Sequence, residues 1–219
     1  MKRFRRAMLV VLGAAALCAV VSVPAVAEVN LPEAIKETGF KVGAGKGAFE
    51  ASTIEKISCK STTGEGTPTN KRTGSFRLTF KECSAVPGKC SSSGEGSGEL
   101  LVSGEYHLVR LKSGEVGIWY VLNGTPAKFE CGADKLELKG SFLSKITPVE
   151  AKTADFEAEI KKKSAKAQTI SEFENNSGEK VKVEGLKASV NGGAFGAASV
   201  ESSEDKLTLA QEDEIIKAK

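Results

Sequence analysis

The 219-residue sequence predicts an all-β fold, an antiparallel β-sandwich or barrel of about ten to twelve short strands. Three observations carry that expectation: apolar residues recur with a period of two, glycine-centred turn tripeptides punctuate the chain, and an even set of cysteines follows an export signal.

The alternation comes first. Phe76, Leu78 and Phe80 alternate with Arg77, Thr79 and Lys81; Ala154, Phe156, Ala158 and Ile160 alternate with Asp155, Glu157, Glu159 and Lys161; Val181 and Val183 alternate with Lys180, Lys182 and Glu184. Successive side chains of a strand point to opposite faces, so each segment offers one face to a core and one to water. Further strands are expected around 49–59, 99–102, 105–111, 116–122, 127–131, 135–146, 168–174, 186–190 and 206–210.

The turns come second. Thr63-Gly64-Glu65, Ser93-Gly94-Glu95, Ser97-Gly98-Glu99, Ser103-Gly104-Glu105, Ser113-Gly114-Glu115 and Ser177-Gly178-Glu179 read as turns, because Gly supplies positive φ and Ser bonds its own backbone. Asn123-Gly124 reads as a hairpin turn joining Tyr120-Val121-Leu122 to Lys128-Phe129-Glu130.

The export signal comes third. Lys2, Arg3, Arg5 and Arg6 precede an uncharged run from Ala7 to Val23; Pro24 and Ala25-Val26-Ala27 then set a cleavage site between Ala27 and Glu28. The run is short for a membrane anchor. Leu17 stands before Cys18 where lipidation needs a small residue, so Cys18 leaves with the peptide. Cleavage removes 4 of 31 basic residues and none of the 28 acidic ones, so the mature chain carries 27 against 28, a net of −1. That balance argues against nucleic acid, whose phosphates call for a basic face. Lys161, Lys162, Lys163 and Lys166 form the one basic cluster, read as a solvated strand end. No later segment has the length and apolarity of a transmembrane helix, so the expected location is secreted or extracytoplasmic, at the cell surface.

Cys59, Cys83, Cys90 and Cys131 then remain, which in an exported chain points to two disulfides with three pairings open. If residues 61–73 are a turn between two strands, Cys83 ends far from Cys59. Pro87-Gly88 folds Cys83 back on Cys90. The pairing expected is therefore Cys83–Cys90 with Cys59–Cys131, contributing roughly 2–3 and roughly 4 kcal/mol by loop closure.

The domain reading is a signal peptide over 1–27, a loosely attached segment over 28–48 with a helical turn beginning at Pro32, a single β domain over 49–210 and a frayed or weakly helical tail over 211–219. The order of several motifs resembles a group of uncharacterised exported, β-rich, disulfide-containing proteins present as many paralogues in some actinobacteria. The residues that carry the likeness are Ile57-Ser58-Cys59-Lys60, Leu78-Thr79-Phe80-Lys81-Glu82-Cys83, Lys89-Cys90-Ser91, Val116-Gly117, Phe129-Glu130-Cys131, Gly140-Ser141-Phe142 and Ile146-Thr147-Pro148-Val149. The resemblance implies export and a β fold and supplies no activity.

Chemistry is sparse. His107 is the one imidazole, no G-x-S-x-G surrounds a serine, and His107 shares a strand face with Val109 and Leu111. Gly43-Ala44-Gly45-Lys46-Gly47 lacks the pattern of a phosphate loop, and Glu212-Asp213-Glu214 is too local to cage calcium. Glu99, Glu105, Glu115 and Glu130 near strand ends are the carboxylates considered for an acid/base pair, with plain solvation as the simpler reading. Tyr106, Trp119 and Tyr120 are the candidate ligand-binding aromatics, with Trp119 and Tyr120 on opposite faces of one strand. The expectation is a non-enzymatic envelope or extracellular protein with a structural or interaction role, without catalytic residue, metal or cofactor. Its partner would be an envelope polysaccharide or a protein. A glycan- or polymer-binding module is the alternative, and a carboxylate-based hydrolase the third reading.

Overall fold

The computed structural model describes residues 31–216 except 35, 52, 53, 87, 112, 113, 123 and 214. The expected signal peptide and its cleavage site at Ala27 and Glu28 lie outside the described residues. Within them the structure is all-β, with twenty-one strands rather than ten to twelve, many only two or three residues long.

In chain order the strands are β1 (Glu33–Ala34), β2 (Phe40–Ala44), β3 (Gly47–Ala51), β4 (Ile54–Cys59), β5 (Ser61–Pro68), β6 (Thr73–Lys81) and β7 (Ser84–Ala85). Next come β8 (Gly88–Ser92), β9 (Leu100–Leu111), β10 (Val116–Leu122), β11 (Ala127–Cys131), β12 (Asp134–Lys139), β13 (Ser141–Thr147) and β14 (Thr153–Ile160). The last are β15 (Lys162–Ser164), β16 (Ala167–Gln168), β17 (Glu172–Glu174), β18 (Lys180–Lys182), β19 (Lys187–Val190), β20 (Gly196–Asp213) and β21 (Ile215–Ile216).

The expectation of sandwich or barrel resolves to a barrel. Eight antiparallel strands close on themselves in the order β2-β5-β6-β9-β10-β13-β14-β20 and back to β2. The first half of β20 continues out of this ring and closes a second, shorter circuit through β3, β4, β7, β8, β11, β12 and β19. The 18 residues of β20 thus belong to both circuits.

One apolar core runs through both, from Phe40, Phe76, Tyr106 and Phe156 in the first circuit to Phe129, Leu136 and Ala188 in the second. Along β6 the inward positions Gly74, Phe76, Leu78 and Phe80 are buried while Ser75 and Arg77 face water. This is apolar-in and charged-out, the reverse of a barrel that sits in lipid. Aromatic rings fill the axis: Tyr120 stacks on Phe142 at 4.8 Å and meets Phe76 edge-on at 5.2 Å.

Two of the six turn tripeptides are not turns. Gly114 and Gly178 adopt φ of 76° and 73° and close tight turns, as expected. Gly64 and Gly104 instead lie inside β5 and the 12-residue β9, where a Cβ would come within 2.4 Å of the Arg77 carbonyl and 2.0 Å of the Val121 carbonyl. These glycines serve close strand approach rather than backbone reversal. At Gly66 and Gly74 the missing side chains are replaced by the rings of Phe40 and Tyr106 from directly paired residues.

Asn123-Gly124 also differs from its hairpin reading. β10 pairs with β9 and β13, and β11 with β8 and β12, so this segment carries the chain from the first circuit to the second.

The disulfides are Cys59–Cys83 and Cys90–Cys131, which overturns the expected pairing. Residues 61–68 are strand β5, paired residue for residue with β6 from Ser61↔Lys81 to Pro68↔Gly74. That hairpin goes out and returns, bringing Cys83 back beside Cys59. Cys90 and Cys131 face each other directly across β8 and β11.

Both ends of the described chain are integral as well. Phe40 and Val42, in the segment expected to be loosely attached, are core residues of β2, and Glu33-Ala34 pairs with Ile215-Ile216 instead of starting a helical turn. In the expected tail, Asp213 is buried and its carboxylate accepts the Lys36 backbone N–H at 3.0 and 3.2 Å.

Candidate functional site

The three candidate aromatics do not form a binding platform. Tyr120 and Tyr106 point inward and are buried, and burial pushes the Tyr106 hydroxyl up to about 12. Trp119 points outward, as the strand period requires, and lies between His107 and Phe173, each 5.1 Å away ring to ring. With Val109, Leu111, Leu143, Phe173 and Val183 it makes a second, smaller apolar cluster outside the barrel, covered by the β17–β18 hairpin. His107 lies on the outer face with Val109 and Leu111, and its nearest carboxylate, Glu105, is 3.9 Å away.

The considered carboxylates are dispersed. Glu105 and Glu115 lie toward opposite ends of the β9–β10 pairing, Glu99 accepts from the Gly96 backbone, Glu115 pairs with Lys145, and Glu130 is exposed on β11. Among the described residues no three His, Cys, Asp or Glu side chains gather as a metal site.

The barrel interior is filled by its own side chains. An interior cavity of about 20 Å³ is bordered by Thr62, Phe80, Tyr120, Phe142 and Ser202. That is room for roughly one water. Eight-stranded barrels are just wide enough for side chains to fill, and this one is filled.

The large concavity is on the outside. Where β20 passes from one circuit to the other, the outer surfaces of β3, β4, β13, β14 and β20 form an open groove of about 1090 Å³. Lys46, Lys56, Lys145, Lys161, Lys162 and Lys206 line it, with Glu157, Glu159 and Glu201.

Strand periodicity explains these positions. On β14 Phe156, Ala158 and Ile160 are buried, which sends Glu157 and Glu159 outward; on β4 the burial of Ile57 and Cys59 sends Lys56 and Ser58 outward. Lys46 occupies the two-residue link from β2 to β3, the glycine-rich stretch Gly43–Gly47 of the sequence.

One wall is a closed ionic ring. Lys56 reaches Glu201 at 3.2 Å and Glu50 at 3.7 Å, while Lys162 reaches Glu201 at 3.0 Å and bonds Glu50 directly. Burial pushes the Glu201 carboxyl up, but hydrogen bonds and charge from Lys162 and Lys56 outweigh it and hold the group below the ordinary carboxylate range. Burial likewise pushes the Lys162 ammonium down, and its bonds to Glu50 and Glu201 outweigh that and raise it.

Compared with known protein families, with curated proteins and with solved structures, the chain matches none.

The groove was not visible in the sequence. The Lys161-Lys162-Lys163 run was its one local signal, read as a solvated strand end, whereas Lys162 is half-buried in the ionic ring. The other lysines come from strands far apart in the chain.

Proposed function

We propose that this chain is an exported protein of the cell envelope or extracellular space that acts by binding or by architecture and performs no reaction of its own. The observation that carries this reading is the contrast between a filled apolar interior and an open outer groove, one wall of which is the ionic ring of Lys56 and Lys162 with Glu50 and Glu201. A carboxylate hydrolase needs one carboxyl kept protonated as acid. Glu201 is held the other way.

Export is supported by the basic, apolar and A-x-A segments ahead of Glu28 and by two disulfides, which persist in oxidising compartments. The resemblance to exported actinobacterial paralogues points the same way. Expression of the full chain in a secreting bacterium, followed by fractionation and N-terminal sequencing, tests it. The expected product lies outside the cytoplasm and begins at Glu28; a cytoplasmic product that retains Met1 would overturn the reading.

The binding form of the proposal, a glycan or envelope-polymer module, is favoured over a purely structural role by the groove. Its route is charge and hydrogen bonding, because Tyr106 and Tyr120 are core residues and Trp119 is flanked by His107 and Phe173.

A further inference from the structure

We propose that the groove between the two circuits binds a linear anionic polysaccharide, one whose repeating units carry both a negative charge and free hydroxyls. The inference rests on the binding form of the function above and names its ligand class.

Shape is the first argument. A volume of about 1090 Å³ on an outer face is larger and more open than a pocket that encloses a small molecule, and an open trough suits a segment of a chain.

Charge is the second. Among the described residues six lysines line the groove against three glutamates, although the mature chain as a whole is one charge short of neutral on the acidic side. The β15–β16 hairpin that contributes Lys162 also carries Lys163 and Lys166, both exposed. Glu50 and Glu115 offset part of this excess through Lys56, Lys162 and Lys145.

The donor set is the third argument. Lysine ammoniums are compact point charges that meet anionic groups spaced along a chain without demanding a planar fork. Glu157, which is exposed, is an acceptor for hydroxyl donors, which a bare polyanion lacks, while Glu159 pairs with Lys161. Among the described residues the lining has no aromatic ring on which nucleic-acid bases could stack.

Sedimentation or affinity electrophoresis of the full mature chain with polygalacturonate, uncharged dextran, poly-L-glutamate and single-stranded poly(dT) tests this. Polygalacturonate is expected to bind at low salt and to be released as added salt screens the exposed lysines. The double variant K161E/K206E should weaken binding at least about tenfold, while K128E, on β11 away from the groove, leaves it within about twofold. Circular dichroism of both variants checks that the fold is kept. Equal binding of poly-L-glutamate or poly(dT) would overturn the polysaccharide assignment. Equal binding of dextran would overturn the anionic part and leave a glycan-binding function standing. Loss of binding in K128E equal to that in K161E/K206E, or no binding of polygalacturonate, would also overturn the proposal, while the export test above stands on its own.

Discussion

The side-chain amide of Gln168 hydrogen-bonds both backbone groups of Val200, donating to its carbonyl at 2.9 Å and accepting from its N–H at 2.9 Å. On that edge of β20 the neighbouring strand changes from β19, which ends its pairing at Ala197, to β14, which begins at Ser202. Val200 falls in the interval, and Gln168 stands in for a strand there.

Gln168→Ala leaves a buried donor and a buried acceptor without partners, which costs about 2–4 kcal/mol. A urea denaturation midpoint reads it. A loss below about 0.5 kcal/mol would mean that water or a shifted β16 replaces the amide. Gln168→Glu keeps the acceptor and loses the donor, and should be destabilised too.

Cys59–Cys83 braces the weakest part of the second circuit, where β4 meets β7 through the single pair Ser58↔Ser84 and β7 meets β8 through two, and Cys90–Cys131 ties β8 to β11 on its other side. Non-reducing peptide mapping should recover Cys59 linked to Cys83 and Cys90 linked to Cys131. With separations of 24 and 41 residues, loop closure predicts about 3.5 and about 4 kcal/mol. The paired variant C59S/C83S should lose about 3 kcal/mol, with hydrogen exchange rising first in β4, β7 and β8.

Gly104→Ala should cost about 2–3 kcal/mol or more, because the new methyl would meet the Val121 carbonyl oxygen at 2.0 Å and backbone must move. Gly124→Ala, with nothing within 4 Å, is the control and should be near neutral. Equal thermal midpoints for the two variants would contradict the close-approach role.

The single tryptophan reports on the outer cluster. Phe173→Ala removes one flank of Trp119 and should lower stability by about 3 kcal/mol and shift its fluorescence to the red. Unchanged emission would place Trp119 in water already.

The ionic ring gives a pH signature. Glu201 is held below its ordinary 4.5, so its contribution is complete above that value and is lost as pH falls through the folded-state value. Lys162 is raised above 10.5, so its contribution is complete below that value and is lost as pH rises through the folded-state value. Glu201→Gln should flatten the acid limb of a stability-against-pH curve and lower the plateau between the limbs. An acid limb identical to that of the unaltered protein would remove Glu201 from the ring's account. Glu82 and Glu184, also held low by lysine partners, stay in the variant and leave a residual slope.

The period-two signal revealed most of the longer strands, because half-buried strands must alternate. Phe76–Phe80 and Ala154–Ile160 lie as expected within β6 and β14. What misled was glycine, whose two uses look alike in a sequence. Gly64 made β5 read as a turn, and that single misreading moved Cys83 to the wrong end of its hairpin and reversed the disulfide pairing. The opposite faces of Trp119 and Tyr120 were legible, but which one faces inward depends on barrel closure. The groove was illegible for a related reason: Lys46, Lys145, Lys162 and Lys206 meet only because β20 bridges two rings.

β20 follows every other strand of the two circuits along the chain, so the strand that shuts both is the last of them to be synthesised. Until it arrives, β2 and β14 have no common neighbour, β3 and β19 stay apart, and the long-range pairings that close either circuit cannot form. Neither circuit can therefore close until residues 196–213 are available to pair.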